Sequence, residues 1–275
     1  MKKRIIVAVV LVVAIVICGG CDLKYASTTR EIRHSGFALS GAEFTCDDLV
    51  GEERTDEVKF LTSKHAIMES GSVYELSIGQ KFSNDQNCKA SPFSSKVVAI
   101  FDENVVKMDN GQYFYLVRTG ENAAYTAVLK SDDNYAIYDI LLKDSQVLKV
   151  KTLDSSSGYY YVLKKDGNVY NYVVLKNNDS VSIVSSPVIY SKSNYNGNII
   201  DFNYAGKTSS TFVRTTSQIF RMKATNKQEC SKYVDVVCEY EMSLDEGLTE
   251  HQDRILGFSG SFLITVYGKQ FNVTA

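Results

Sequence analysis

The chain has 275 residues, 44% of them hydrophobic and 23% charged, a balance that supports a packed core and excludes wholesale disorder. Thirty basic residues against 32 acidic ones give a formal charge of −2; with Lys2, Lys3 and Arg4 set aside as part of a leader the count is 27 against 32. A mildly acidic body without a basic stripe argues against nucleic acid as a partner and against adhesion to anionic lipid by charge. Eighteen Tyr, only two Pro and no Trp, beside many Val, Ser, Thr and Asn, favour strands and polar turns over helices.

Residues 1–21, MKKRIIVAVVLVVAIVICGGC, carry three cations, an apolar run from Ile5 to Cys18, two glycines and Cys21. This is the layout of a secretory signal. As a helix the run spans about 21 Å, short of a hydrocarbon core of about 30 Å. Because the cations precede the run, they stay in the cytoplasm and the rest of the chain lies outside. Cys18-Gly19-Gly20-Cys21 resembles a bacterial lipobox, with Cys18 where that family usually has Leu. The resemblance implies lipidation at Cys21 and a lipoprotein; the alternative is an uncleaved membrane anchor. Either way the expected location is the extracytoplasmic face of the cell membrane, with an N-terminal tether.

Beyond the leader stand four cysteines, Cys46, Cys88, Cys230 and Cys238. An even number outside the membrane allows two disulfides in three possible pairings, against the alternative of four free thiols. No CxxC occurs among them, which argues against a structural zinc site.

Residues 22–35 are polar and mixed, as in a spacer, and residues 36–275 read as one all-β domain. In chain order this domain repeats a phrase: AIMESGSVY at 66–74, VVKMDNGQY at 105–113 and VLKKDGNVY at 162–170, then the looser FVRTTSQIF at 212–220 and LITVYGKQF at 263–271. Each reads as a β-hairpin with apolar arms and a polar tip, and Ser70-Gly71, Asn110-Gly111 and Asp166-Gly167 supply a glycine where the turn needs positive φ. AVLKSDDNYAIY at 127–138 reads as a further hairpin in the second unit, and 243–254, SLDEGLTEHQDR, as an acidic loop or helical turn. The copies end at intervals of 39, 57, 50 and 51 residues, a period near that of radial repeats.

The phrase apolar-Leu-Lys-x-Asp-Gly-x-Val-Tyr is similar to the hairpin of regulator-of-chromosome-condensation-like and other bacterial propeller repeats. That resemblance implies a β-propeller, with five blades for five copies and four to seven permitted by the uneven spacing; a large β-sandwich is the alternative. Ring closure requires the terminal strands to meet, so the segment around 270–274 should pair with residues 37–46. Cys46 with Cys88 would then staple the first strand to the first repeat.

Motifs for catalysis are sparse. His34, His65 and His251 lack HExxH or triad context and read as surface histidines, GFSGS at 257–261 misses the nucleophile elbow, and no phosphate-binding glycine motif occurs. No metal or cofactor is expected. Asp102, Asp139, Asp201 and Asp235 lie near apolar strand-like segments and are candidates for channel carboxylates, because some five-bladed propellers are glycosidases that use such a pair. Tyr159, Tyr161 and Tyr172 are candidates for an exposed aromatic face suited to protein or glycan contact. The expectation is a tethered binding or scaffolding protein of the bacterial envelope, working through propeller loops on an envelope protein or glycan, with a glycoside hydrolase as the alternative.

Overall fold

The computed structural model describes residues 31–34, 38–43, 49–51, 54–76, 90–93, 95–119, 124–154, 158–177, 180–185, 188–190, 192, 197–205, 210–216, 219–224, 240–244, 255–260 and 262–272. These are mostly strand. The leader, Cys21, Cys46, Cys88, Cys230, Cys238, His251 and Asp235 lie outside the described residues. Among the described residues no helix is long and apolar enough to cross a membrane.

Two strands, β1 (Glu31–His34) and β2 (Ala38–Glu43), precede five antiparallel meanders. The first meander is β3 (Val58–Leu61), β4 (His65–Met68), β5 (Ser72–Glu75) and β6 (Ala90–Pro92). The second is β7 (Val97–Phe101), β8 (Val105–Met108), β9 (Tyr113–Thr119) and β10 (Ala124–Ala127), followed by a helix, α1 (Tyr135–Leu142). The third is β11 (Val147–Asp154), β12 (Tyr159–Lys164), β13 (Val169–Asn177) and β14 (Ser180–Ser185), with β15 (Val188–Tyr190) also paired to β13. The fourth is β16 (Ile199–Ala205), β17 (Ser210–Thr215), β18 (Ile219–Ala224) and β19 (Tyr240–Leu244), with β1 added in parallel to β19. The fifth is β20 (Ile255–Ser259), β21 (Phe262–Thr265) and β22 (Lys269–Asn272), completed by β2.

All five phrases are hairpins, and each joins the second strand of its meander to the third. The reason is local. In four of them a backbone bond closes the turn, from Gly71 to Met68, Gly111 to Met108, Gly167 to Lys164 and Gly268 to Thr265, each N···O 3.0 Å. The four glycines have φ of 96°, 85°, 80° and 79°, the left-handed conformation that ends a three-residue loop and restores strand register. The acidic or amide residue beside the glycine locks the tip: the Gln112 N–H donates to Asn110 Oδ1 and the Asn168 N–H to Asp166 Oδ1, both at 3.0 Å.

The pairing of the chain ends is also present. Ala38 lies opposite Asn272 and Leu39 opposite Phe271, so an N-terminal strand completes the last meander antiparallel to its final strand. Glu31–His34, which the sequence places in a spacer ending at 35, is β1, and Ser243-Leu244, the start of the acidic stretch, belongs to β19. The segment 127–138 is not a hairpin. Its second half opens α1, because Tyr135, Tyr138 and Leu142 recur at helical spacing and the buried Ile137, Tyr138, Leu141 and Leu142 pack with Phe101, Val147 and Val150. Lys107 donates its Nζ to the Leu142 carbonyl at 2.5 Å, satisfying an acceptor at the helix C-terminus.

Sheet faces bury one another in chain order. Ile67 and Val73 of the first meander meet Val97, Ile100 and Val106 of the second. Phe101 and Val105 of the second meet Val150, Tyr160 and Val162 of the third around α1. The Tyr161 ring of the third lies 6.4 Å from that of Phe202 in the fourth. Phe212 and Ile219 of the fourth meet Phe258, Leu263 and Phe271 of the fifth. Leu256 and Ile264 of the fifth then meet Leu61, Ala66 and Met68 of the first. Each large buried aliphatic or aromatic side chain contributes roughly 1.5–3 kcal/mol.

Two turn glycines separate backbone strain from crowding. At Gly111 an added Cβ has nothing within 4 Å, whereas at Gly167 it would stand 2.8 Å from Asn198 Cβ. Gly111→Ala is expected to cost about 1 kcal/mol, the price of left-handed backbone alone. Gly167→Ala is expected to cost more, and urea unfolding of both variants checks the order.

Candidate functional site

The first strands of the five meanders, β3, β7, β11, β16 and β20, converge on a cavity of about 270 Å³. Its walls take Leu61 from β3, Ile100 from β7, Leu148 from β11, Ile200 from β16 and Ile255 from β20. Charged groups stand among these apolar ones: Arg54, Lys59, Lys149 and Arg214 against Glu57, Glu69, Glu103 and Asp201.

Glu103 is presented by the β7–β8 turn. Phe101 to Asn104 closes as a two-residue loop, with Asn104 N donating to Phe101 O at 3.0 Å and φ of 47° at Asp102 and 63° at Glu103. These are the only non-glycine residues with positive φ among the described residues. Left-handed backbone costs a side-chain-bearing residue roughly 1–2 kcal/mol, so surrounding bonds must hold this turn. They do. The Thr152 N–H donates to Asp102 Oδ1 at 2.7 Å, the Thr152 hydroxyl donates to Asp102 Oδ2, and Asp102 N donates to Val150 O at 3.0 Å. Ser63 N donates to Glu103 Oε2 at 3.0 Å and Lys151 Nζ to Oε1 at 3.2 Å. Burial pushes the Glu103 carboxyl up, but Lys151, Lys149 and the Ser63 hydrogen bonds outweigh it and hold the group below its usual range.

On β11, paired with Ile100 of β7, Lys149 is buried and donates to Asp201 Oδ1 at 2.7 Å. The Phe202 N–H also donates to that oxygen, at 2.8 Å, and the Phe258 N–H to Oδ2 at 3.4 Å. Lys149 Nζ stands 5.6 Å from the Phe202 ring centroid. The outer acids are engaged as well, Glu57 with Arg54 at 2.9 Å and Glu69 with Lys59 at 3.1 Å. Arg214 differs. It lies opposite Asp201 across the β16–β17 ladder, yet its buried Nε has no hydrogen-bond partner and no carboxylate among the described residues lies within ion-pair distance. Burial lowers its pKa and Asp201 acts in the other direction.

Of the carboxylates singled out in the sequence, Asp201 lines the cavity. Asp102 ties its turn to Thr152 instead, and Asp139, on α1, accepts from the Tyr113 hydroxyl at 3.2 Å. Tyr159, Tyr161 and Tyr172 do not form one exposed face. Tyr161 is 8% exposed and Tyr172 7%. Strand alternation and the Tyr160–Tyr172 register put Tyr172 on the face opposite Tyr159 and Tyr161. Tyr172 belongs with the α1 core, where Lys164 Nζ lies 5.5 Å from its ring centroid. His65, expected at the surface, is 6% exposed, with its ring 6.3 Å from that of Tyr125. Among the described residues no group of three or more His, Cys, Asp or Glu could hold a metal ion.

Glu103, Lys149, Lys151 and Arg214 escape a motif search. A usable signal does exist: Lys149 and Asp201 interrupt the apolar strands VLKVK and IIDF at inward positions, where a charge needs a partner. No protein-family model matches the chain, and no curated protein matches it either.

The Glu103 ties carry a pH signature. A folded pKa below the ordinary 4.5 means stability that is full above that value and is lost as pH falls toward the folded pKa. Glu103→Gln is expected to cost about 2 kcal/mol at pH 7, as for loss of a charge-assisted hydrogen bond. The gap to the unmodified protein should narrow below pH 4.5, which denaturant melts across pH would register.

Proposed function

We propose that this chain is a five-bladed β-propeller tethered to the extracytoplasmic face of a bacterial membrane by residues 1–21, and that it serves as a binding or scaffolding protein of the cell envelope. The propeller reading is supported by five meanders with equivalent hairpins, by first strands that share a central cavity, and by a last meander completed from the N-terminus. A single-sheet-pair sandwich would not bring five first strands to one centre. The tether reading rests on the leader and its resemblance to a lipobox at Cys21.

One observation carries the preference for binding over catalysis. Every described carboxylate lining the cavity is held in an ion pair, at 2.7 Å for Lys149–Asp201 and 3.2 Å for Lys151–Glu103. A glycosidase needs one carboxyl kept protonated near neutral pH by a raised pKa, while Glu103 is pushed the other way. The hydrolase alternative draws on Glu103 and Asp201 facing the same cavity.

Two measurements test this. Membrane fractionation and the mass of the mature protein are expected to give a membrane-bound chain beginning at a diacylated Cys21; an uncleaved mass would replace the lipid with an anchor, and a soluble chain would end the tether. The full chain in detergent is expected to co-sediment with purified envelope polysaccharide and to leave chromogenic glycosides intact. Turnover that Glu103→Gln or Asp201→Asn abolishes would make it a hydrolase.

A further inference from the structure

Among the described residues, Arg214 is the one charged group of the central cavity whose counter-ion is not accounted for. Its cross-strand neighbour Asp201 is the obvious partner, but Lys149 takes that carboxylate at 2.7 Å and the backbone N–H groups of Phe202 and Phe258 occupy it further. The remaining acids are engaged with Arg54, Lys59 and Lys151. With Lys151 counted, five cations therefore face four carboxylates among the described residues around the cavity, and the excess falls on Arg214. Arg214 is half-buried, and its Nε is buried without a hydrogen bond, which is costly for a charged donor.

We propose that the cavity binds a small carboxylate with a short apolar body, its carboxylate gripped by Arg214. The planar fork of the guanidinium matches a carboxylate with two parallel hydrogen bonds. Leu61, Ile100, Leu163, Ile200 and Leu256 supply apolar wall for the body of the ligand, and about 270 Å³ limits it to a few carbons beyond the acid group. Phosphate, which is larger in charge and fully hydrophilic, fits that wall less well. Asp201, facing Arg214 on the same sheet, does not repel the ligand, because Lys149 neutralises it. The inference rests on the binding reading above and names the ligand class for it.

The test uses the full chain in detergent, with acetate, butyrate, hexanoate and inorganic phosphate as probes in calorimetric titration and thermal melts. Butyrate or hexanoate is expected to bind and raise Tm, more tightly than acetate. Arg214→Gln should weaken that binding at least tenfold, and Arg214→Lys, which keeps the charge but loses the fork, should weaken it less. Lys165→Gln, at an exposed hairpin tip, should not change it. A second readout guards against simple misfolding: without ligand, Arg214→Met should raise Tm, since it removes an uncompensated charge, whereas a structural arginine would lower it. Carboxylates that leave the unmodified protein unaffected, equal binding by Arg214→Gln, or a preference for phosphate would each overturn the assignment. An inert protein that binds polysaccharide but no carboxylate would lose this inference alone, while glycoside cleavage would remove the binding reading with it.

Discussion

The polar chain around the cavity is what the arrangement of sheets depends on. Apolar faces between meanders are interchangeable in kind and set no register; between the second and third meanders the parallel β7–β11 ladder sets it, with Lys149 opposite Ile100. Elsewhere the buried charges do. Ser63 of the first meander donates to Glu103 of the second, which accepts from Lys151 of the third; Asp102 beside it takes both donors of Thr152. Lys149 of the third donates to Asp201 of the fourth, which accepts from Phe258 of the fifth, and Asn203 of the fourth reaches the Gly260 carbonyl of the fifth. A sheet that slid by one residue would leave a buried charge alone, a loss far larger than a displaced methyl group. The strained β7–β8 turn fits this account: its cost is carried by bonds to the first and third meanders.

Where that chain meets the fifth sheet, the backbone itself must come close. Gly257, at φ 154°, would place a Cβ 3.1 Å from Leu61 Cβ and 3.4 Å from Asp201 Oδ2. A side chain there would push apart the first, fourth and fifth meanders together. The glycine of the GFSGS stretch thus has a packing role at the centre, and neighbouring Ser259 is wholly buried within β20 rather than displayed as a nucleophile would be.

The repetition was legible because a hairpin is decided locally. An aromatic on the returning strand marks the same position in all five meanders, and a glycine at the tip does so in four of them, including the fifth, where Tyr267-Gly268 stands in place of Ser-Gly, Asn-Gly or Asp-Gly; the fourth copy, FVRTTSQIF, has no glycine and is placed by its aromatic and its spacing. The helix was missed for a physical reason. Tyr135 to Leu142 is only 8 residues and mixes helical spacing with the aromatic and β-branched types that favour strands, so its packing on Phe101 and Val150 decides the outcome. The site was less legible than the fold. Local sequence says that Lys149 and Asp201 are charges in apolar strands, but only tertiary structure says that they meet across 52 positions of chain. The tyrosines erred in the other direction: counting aromatics on alternate positions does not say which face of β12 and β13 is covered, and α1 and β16 cover both.

The same geometry that holds the sheets together constrains what the cavity can do. A carboxylate that shuttles protons must be free to change charge, and a carboxylate that locks two sheets must not. Glu103 and Asp201 are committed to locking, through partners on three meanders between them apart from their own. Protonating Asp201 would release the buried Lys149 and protonating Glu103 the half-buried Lys151, so chemistry at these positions would be coupled to loosening of the centre. Arg214 carries no such duty. It projects into the same space from the second strand of the fourth meander, makes no bond that another sheet relies on among the described residues, and so can take and release a partner without disturbing the ring of contacts around it. Fixed pairs for structure and, among the described residues, one cation without a fixed pair are the features on which the proposal of a ligand site rests.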